Sequence, residues 1–336
     1  MAGAIDNQVG LHALWGLASA SFMSARTLQT AVRLGVFAAL AGGPRDVKAL
    51  ARACRADEQG MEALLVACVA LGLLERSTTG LFRNSWLAAR WLVPGEAGYY
   101  GEAVDGLSAV YEHWVQLEEA VRSGRAVARP SYRRGGESLR AYLLNVHRSS
   151  EEQARRLVEV ADLGESRKLL DVGGGLATYS IALCRRWPQL KAVVLELAKV
   201  VPFAREMIAS EGLANRITAQ AGDYRLQGFG EGNDVVLIAN VLQHEPLETR
   251  RSLLAKAFRS LAPGGLVLVH DSMLNPEKTG PLPAALGGLN LLLHSGGGSY
   301  SSAELTSWLR EAGFVEARVE WQSEAGLALA VAAVPG

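Results

Sequence analysis

Residues 240 to 245 read NVLQHE, so that Gln243, His244 and Glu245 stand side by side where an apolar run gives out. An imidazole between an amide and a carboxylate offers a proton acceptor, an orienting group or a metal ligand. A second apolar run, GLVLVHD, ends at Asp271, and His294 follows NLLL. An imidazole paired with a carboxylate makes a general base, so Asp271 is a candidate to orient His244. His244, Glu245 or Asp271, and His294 also supply the types of a two-histidine, one-carboxylate metal site, able to hold an enolisable 2-oxo acid. Adjacent residues rarely both face one ion on regular structure, so no metal is expected.

A different chemistry is written at DVGGGLATYS, residues 171 to 180. Glycines at 173 to 175 let backbone approach a ligand and feed a helix N-terminus, which favours anions. Glu196 lies 21 residues beyond Gly175, at the end of the next apolar run, where a carboxylate can accept both hydroxyls of a ribose. A dinucleotide fingerprint starting at Gly173 needs Gly or Ala at 178, and Thr178 stands there. S-adenosylmethionine fits better: the glycine turn faces its amino-acid part, Glu196 holds its ribose, and Gly222-Asp223 ends the third strand near its adenine, with Asp171 and Leu197 as further candidate contacts.

These groups need strand ends to hold them. KLLDVGG, KAVVLEL, RITAQAGD, DVVLIANV and GLVLVHD are of strand length, and ATYSIALCRRW, PFAREMIASEG and LETRRSLLAKAFRSL separate most of them as helices. The alternation predicts an α/β fold, a Rossmann-like parallel sheet with helices on both faces and ligands at the carboxyl ends of its strands. ARVEWQ and LALAVAAV, joined by a short loop, should close it as an antiparallel pair. Upstream, residues 8 to 42 read as helical. Asp46 and Asp57 can cap two further helices, and LLERSTTGLFRN reads as a hairpin. That order makes a winged helix, but its second helix carries Asp57, Glu58 and Glu62 and no Lys or Arg, which argues against reading DNA. Pairing with a second subunit is the better use. The expected division is a winged-helix dimerisation domain over 1–100, a helical connector contributing to the substrate pocket over 101–162, and the cofactor-binding domain over 163–336.

Composition narrows the partners. In 336 residues, 34 basic side chains balance 34 acidic ones, so there is no net field to hold nucleic acid or an anionic membrane. A small-molecule substrate is expected. The longest clean apolar run, ALLVACVALGLL, is short of the ~20 residues that span a bilayer. Three scattered cysteines suit a cytoplasmic protein with packed thiols.

LLDVGGGLATYSIAL, VVLEL, AGDY, LAPGGLVLVHDSML, TGPL and LNLLLHSGGGSYSSAELTSWLREAGF resemble the small-molecule O-methyltransferases that include the caffeic acid and acetylserotonin enzymes. The resemblance covers nearly the whole chain. It implies a class I methyltransferase fold, an N-terminal winged-helix domain forming a homodimer, and S-adenosylmethionine as methyl donor, leaving as S-adenosylhomocysteine. Gly173, Gly175, Glu196, Asp223 and Tyr224 match the family's donor-binding positions. Ala177 stands where the family's last glycine is usual; alanine suits a helix start. The family's base is a histidine after the fourth strand, and counting back from LAPGG puts that position at Gln243, which cannot act as a base. One of the family's two supporting carboxylates falls on Asp271, the other on Tyr300.

Several readings stay open from the sequence. His244, one place along, becomes the base with Asp271 orienting it. Alternatively no base is needed because the acceptor is a nitrogen, an acidic hydroxyl or an activated carbon, and Gln243 orients it. The metal set above would serve C-methylation, and a cofactor-binding homologue that does not methylate, regulatory or catalysing a rearrangement, is the remaining case. Trp114, His147, Asn290, His294 and Tyr300 are candidate substrate contacts. Asn240 can meet either cofactor or acceptor. Met273, Leu289 and Leu293 are expected to line the pocket, and strand alternation points His270 away from Asp271.

Overall fold

The computed structural model describes residues 13–128 and 135–335. The chain divides into two compact units, the first ending at His113 and the second beginning at Trp114.

In the first unit a short π-helical turn, Gly16–Ala20, leads into α1 (Ser21–Arg33) and α2 (Val36–Ala39). The helical run expected from 8 to 42 is therefore broken. Leu34 ends α1 and Gly35 takes a left-handed φ of 74°, a conformation glycine adopts without the penalty a Cβ brings. Residues 8–12 lie outside the described ones. In α3 (Val47–Ala53) and α4 (Glu58–Ala70) the N-caps are the two aspartates expected: Asp46 accepts from the Ala49 N–H and Asp57 from the Gly60 N–H. Strands β1 (Leu74–Arg76) and β2 (Phe82–Asn84) pair antiparallel, and Phe82 also bridges to Arg45. This is the winged-helix order, followed by α5 (Trp86–Trp91) and α6 (Gly101–Trp114). Phe37, Leu50, Met61, Leu65 and Phe82 are fully buried and form its core with Cys68. Burial raises the Cys68 thiol to about 11, which keeps it protonated and inert.

The second unit continues with α7 (Leu117–Ser123) and the long α8 (Gly136–Val160). The segment SAVYEHWVQLEEAVRSG thus forms parts of two helices, interrupted at 115–116, rather than one. The loop expected at RAVARPSYRRGG falls partly outside the described residues. Strands β3 (Lys168–Val172), β4 (Lys191–Glu196), β5 (Ile217–Ala221), β6 (Asn233–Ala239), β7 (Leu261–Ser272), β8 (Val315–Gln322) and β9 (Leu327–Ala333) form one sheet in the order β5-β4-β3-β6-β7-β9-β8. The first five are parallel, and β9 runs antiparallel between β7 and β8, as the closing pair requires. Helices α9 (Thr178–Arg186), α10 (Val201–Ser210), α11 (Leu247–Ser260), α12 (Leu282–Ser295) and α13 (Ser302–Glu311) complete the unit.

Alternate residues of each strand serve two cores. Leu169, Val194, Ala219, Val235 and Leu237 pack with α8, α9 and α10, while Leu170, Val172, Val236, Ile238 and Val267 pack with α11 and α13. Both faces are dry, which is why these strands read as continuous apolar runs. Chain order reverses between β3 and β6, leaving a crevice at their carboxyl ends. No described helix is long and apolar enough to cross a membrane.

The caps make the first unit's stability testable. Replacing Asp57 with Ala leaves the Gly60 N–H without its acceptor and is expected to cost about 1 kcal/mol in a denaturant titration, with Asp57→Ser recovering most of it.

Candidate active site

A cavity of about 410 Å³ opens at the carboxyl ends of β3, β4 and β6, walled by Gly173, Gly174, Gly175, Glu196, Leu197, Ala239, Asn240 and His244, with α8 on its other side. The turn after β3 is shaped for backbone approach. Gly173 has φ +68° and a Cβ there would stand 2.9 Å from Val241, while one on Gly174 would stand 2.5 Å from the carboxyl of Asp171. Glu196 ties the next strand to this turn, its carboxylate accepting from the N–H groups of Gly175 at 3.0 Å and Leu197 at 2.7 Å. Burial raises its pKa and the two N–H groups pull it back, so a carboxylate waits in the wall for further donors. The alcohol groups of a ribose are such donors.

Asp171 does not reach the cavity. It is fully buried beneath the turn and accepts from the Ser180 hydroxyl at 2.6 Å, and burial pushes its pKa to about 7. Its role is to hold the turn on the first helix after it. Ala177, at the start of that helix, takes φ 65°, so it occupies a left-handed site rather than the helix itself. The reason for the family's glycine is thus backbone conformation, and the methyl costs on the order of 1 kcal/mol there. Asp223 accepts from the Arg225 N–H, and the Tyr224 ring lies against Gly173 with its hydroxyl donating to Glu245 at 2.8 Å.

The candidate acceptor residues separate into three groups. His147, expected at the substrate, lines the same cavity as the glycine turn, with Nδ1 2.8 Å from the Thr178 hydroxyl. Trp114 and Asn290 are brought together, the indole N–H donating to Asn290 Oδ1 at 3.1 Å, and His294 Nδ1 lies 2.8 Å from the Asn290 carbonyl. Tyr300, expected against substrate, is instead 1 % exposed and donates to Asp271 Oδ2 at 2.6 Å. Met273 and Leu293 are likewise fully buried in the core rather than cavity walls, because the segment after β7 folds back onto the sheet and α12 packs on Ala120 and Ala128. His270 is buried edge-on against Tyr179, at 5.5 Å between ring centroids; desolvation lowers its pKa to about 4, so it is neutral packing.

Gln243 and His244 sit in a short 3₁₀ turn, Leu242–His244, after β6. Asp271 does hold that turn, but through backbone: its Oδ2 accepts from the Gln243 N–H at 3.1 Å as well as from Tyr300. Burial raises its pKa to about 7, with Tyr300 and the Gln243 and Leu242 N–H groups pulling the other way. Glu245 is 1 % exposed, its carboxylate bound by Tyr224 and by Arg225 through Nε and Nη2. The Glu245 carboxylate is therefore committed to an ion pair, and Asp271, the other carboxylate open to the two-histidine metal set, is bonded to Tyr300 and the Gln243 N–H. Among the described residues no three His, Cys, Asp or Glu gather as metal ligands.

Sequence reasoning passed over Tyr179, Gln153 and Arg250. Asn240, at φ 55°, donates to the Tyr179 hydroxyl at 3.0 Å, which donates to Gln153 at 2.9 Å. Only the position of Tyr179 directly after the glycine turn could have signalled it.

Residues 114–315 match an O-methyltransferase domain and residues 15–94 an O-methyltransferase dimerisation domain. The chain is 36% identical over 299 residues to 3-hydroxy-5-methyl-1-naphthoate 3-O-methyltransferase of Streptomyces sahachiroi, covering 87% of this chain and 86% of that one. It is 30% identical over 305 residues to the N,N-dimethyltransferase OxyT of Streptomyces rimosus, covering 88% of each. Human N-acetylserotonin methyltransferase, solved in complex with S-adenosylmethionine, superposes with a TM-score of 0.82 at 26% identity, over 97% of this chain and 98% of that one.

The buried carboxyl under the turn yields a pH test. Asp171 is held at about 7 in the fold against 3.8 for the ordinary group, so the folded state binds the extra proton between those values. Its contribution is fully present below pH 3.8 and is lost as pH rises through about 7. Asp171→Asn, which cannot ionise, is therefore expected to gain melting temperature relative to the parent as pH rises from 4 to 8. A difference independent of pH would show that Asp171 is ionised throughout.

Proposed function

The chain belongs to the O-methyltransferase family, and we propose that it carries the methyl of S-adenosylmethionine to a hydroxyl of a small aromatic or conjugated natural-product intermediate. One observation carries this reading: the glycine turn with Glu196, fitted to the donor, and His244 line the same cavity. When bound, S-adenosylmethionine supplies a methyl on a sulfonium sulfur, and S-adenosylhomocysteine leaves as a neutral thioether. The chain's own work is binding, alignment and proton removal. Glu196 accepts the ribose hydroxyls, the Gly173–Gly175 turn and His147 bound the amino-acid end, and Tyr224 serves the adenine. A phenol has a pKa of about 10 and keeps its proton at neutral pH, so His244 takes that proton as the acceptor oxygen attacks. Trp114, Asn290 and His294 form the acceptor's wall, held to one another by the hydrogen bonds described. Alignment of the reacting atoms supplies much of the remaining acceleration. The dimerisation domain makes the working unit a homodimer. The free, widely separated cysteines support a cytoplasmic location.

A second reading has its own support. Gln243 occupies the position counted for the family's base, and the similarity to OxyT includes an enzyme named for nitrogen methylation. A nitrogen acceptor with a free lone pair needs no proton acceptor, and Gln243 would then orient it.

Incubation with methyl-labelled S-adenosylmethionine and 3-hydroxy-5-methyl-1-naphthoate, the acceptor in the relative's name, together with other phenols and aromatic amines, is expected to place label on oxygen. Label on nitrogen alone, or none with any acceptor, overturns the O-methylation reading. His244→Ala is expected to lower kcat/KM about 10²- to 10⁴-fold, and Gln243→Ala by less than about tenfold. Unchanged turnover in His244→Ala would transfer the argument to the base-free reading.

A further inference from the structure

Behind the Gln243–His244 turn lies a buried polar cluster that forms no part of the donor cavity's wall. Asp271 is 0 %, Tyr300 1 % and Arg250 7 % exposed. The Arg250 guanidinium lies over the rings of Tyr300, at 4.9 Å, and Trp308, at 5.7 Å. Its Nε donates to the carbonyls of Leu242 at 2.9 Å and Glu245 at 2.8 Å, so it grips the turn at both ends. Its Nη2 donates to the Gly298 carbonyl at 2.5 Å, and the Gly298 N–H donates to the Gln243 carbonyl at 2.9 Å. Asp271 and Tyr300 close the other side through the Gln243 N–H.

A buried guanidinium is costly unless its donors are met, and an apolar side chain of similar volume usually packs as well. Here the charge is committed to main-chain carbonyls of two different segments. One is the turn bearing Gln243 and His244. The other is the glycine loop at 296–298, which follows α12 and its Asn290 and His294. The two segments also touch with no spare room: a Cβ on Gly297 would stand 2.2 Å from the Gln243 carbonyl oxygen and 2.6 Å from the His244 carbonyl carbon.

We propose that Arg250, Tyr300 and Asp271 form a positioning clamp that sets the register between the Gln243–His244 turn and the Gly296–Gly298 loop, and thereby the distance from proton acceptor to acceptor wall. The consequence for turnover rests on the methyl-transfer reading above; the clamp itself does not. Each clamp residue acts through backbone it holds and touches no reacting atom. His244 touches the edge of the donor cavity, but the groups proposed to hold the donor, the Gly173–Gly175 turn and Glu196, follow β3 and end β4, so donor affinity depends little on the clamp.

Two variants test this from different sides. Tyr300→Phe removes the hydroxyl and keeps the ring under Arg250, and Gly297→Ala forces the turn away while leaving the cluster's own side chains intact. Three readouts are taken on the full-length dimer: hydrogen exchange of the amides at 242–244, calorimetric affinity for S-adenosylhomocysteine, and kcat and KM with the naphthoate acceptor. Both variants are expected to exchange the Gln243 amide at least about tenfold faster, to hold S-adenosylhomocysteine within about twofold of the parent, and to lose about 10- to 100-fold in kcat. Parent-like exchange and kcat in both variants overturns the clamp. So does a loss of S-adenosylhomocysteine affinity as large as the loss of kcat, which marks a general structural role. If the parent does not methylate the naphthoate, exchange and donor affinity still decide the clamp, and only the acceptor assignment fails.

Discussion

Burial of both faces of the parallel sheet leaves polar chemistry one place to go. Strands packed on each side by helices have no wet face, and their backbone groups are spent on neighbouring strands. Polar residues therefore gather where the strands stop. Gly173 follows β3, Glu196 ends β4, Asn240 follows β6 and Asp271 lies at the end of β7. The reversal of chain order between β3 and β6 parts the following loops and opens the crevice there. The donor cavity is a consequence of that topology before any one side chain is considered.

The same constraint explains why carboxylates near the crevice behave differently. Glu196 stands in the cavity wall with two backbone donors, and remains a group that can accept from a ligand. Asp171 and Asp271 are one layer deeper, each fully buried, and each is spent on holding a loop: the glycine turn for Asp171, the 3₁₀ turn for Asp271. Burial, more than any neighbouring charge, pushes both up to about 7. Depth thus separates a cavity-lining carboxylate from two scaffolding ones among three residues of nearly the same chemistry.

Among the described residues, left-handed backbone occurs at two non-glycine positions beside the crevice, as well as at Arg55, Lys278 and Glu316. Ala177 and Asn240 both take positive φ without being glycine. Asn240 offsets the cost with a side-chain amide bonded to Tyr179 and a backbone N–H bonded to the His270 carbonyl. Ala177, fully buried at the head of its helix, has no side-chain bond and relies on packing and on its N–H, which donates to the Gly174 carbonyl at 2.8 Å. Such positions tolerate strain because the sheet and helices on either side allow no alternative path for the chain.

Local chemistry accounts for what was legible from the sequence. The strand and helix alternation, the antiparallel closing pair and the caps at Asp46 and Asp57 rest on periodicity or near neighbours and stand in the structure as read, and the glycine turn and Glu196 meet in one cavity wall. The contacts of Tyr300, Asp271 and Glu245, and the reach of Arg250 to Gly298, were not legible, because these partners lie 20 to 48 residues away in the chain. Arg250 carried no signal of its own, and Glu245 was open to a reading as a metal ligand beside His244. By itself the sequence determined the sheet, the glycine turn and the family resemblance, since these depend on hydrophobic period and on residues adjacent in the chain. Only the tertiary structure decided that Asp271 holds backbone rather than an imidazole and that Tyr300 is a buried support, because depth below the surface, not residue type, determines which polar group meets a ligand.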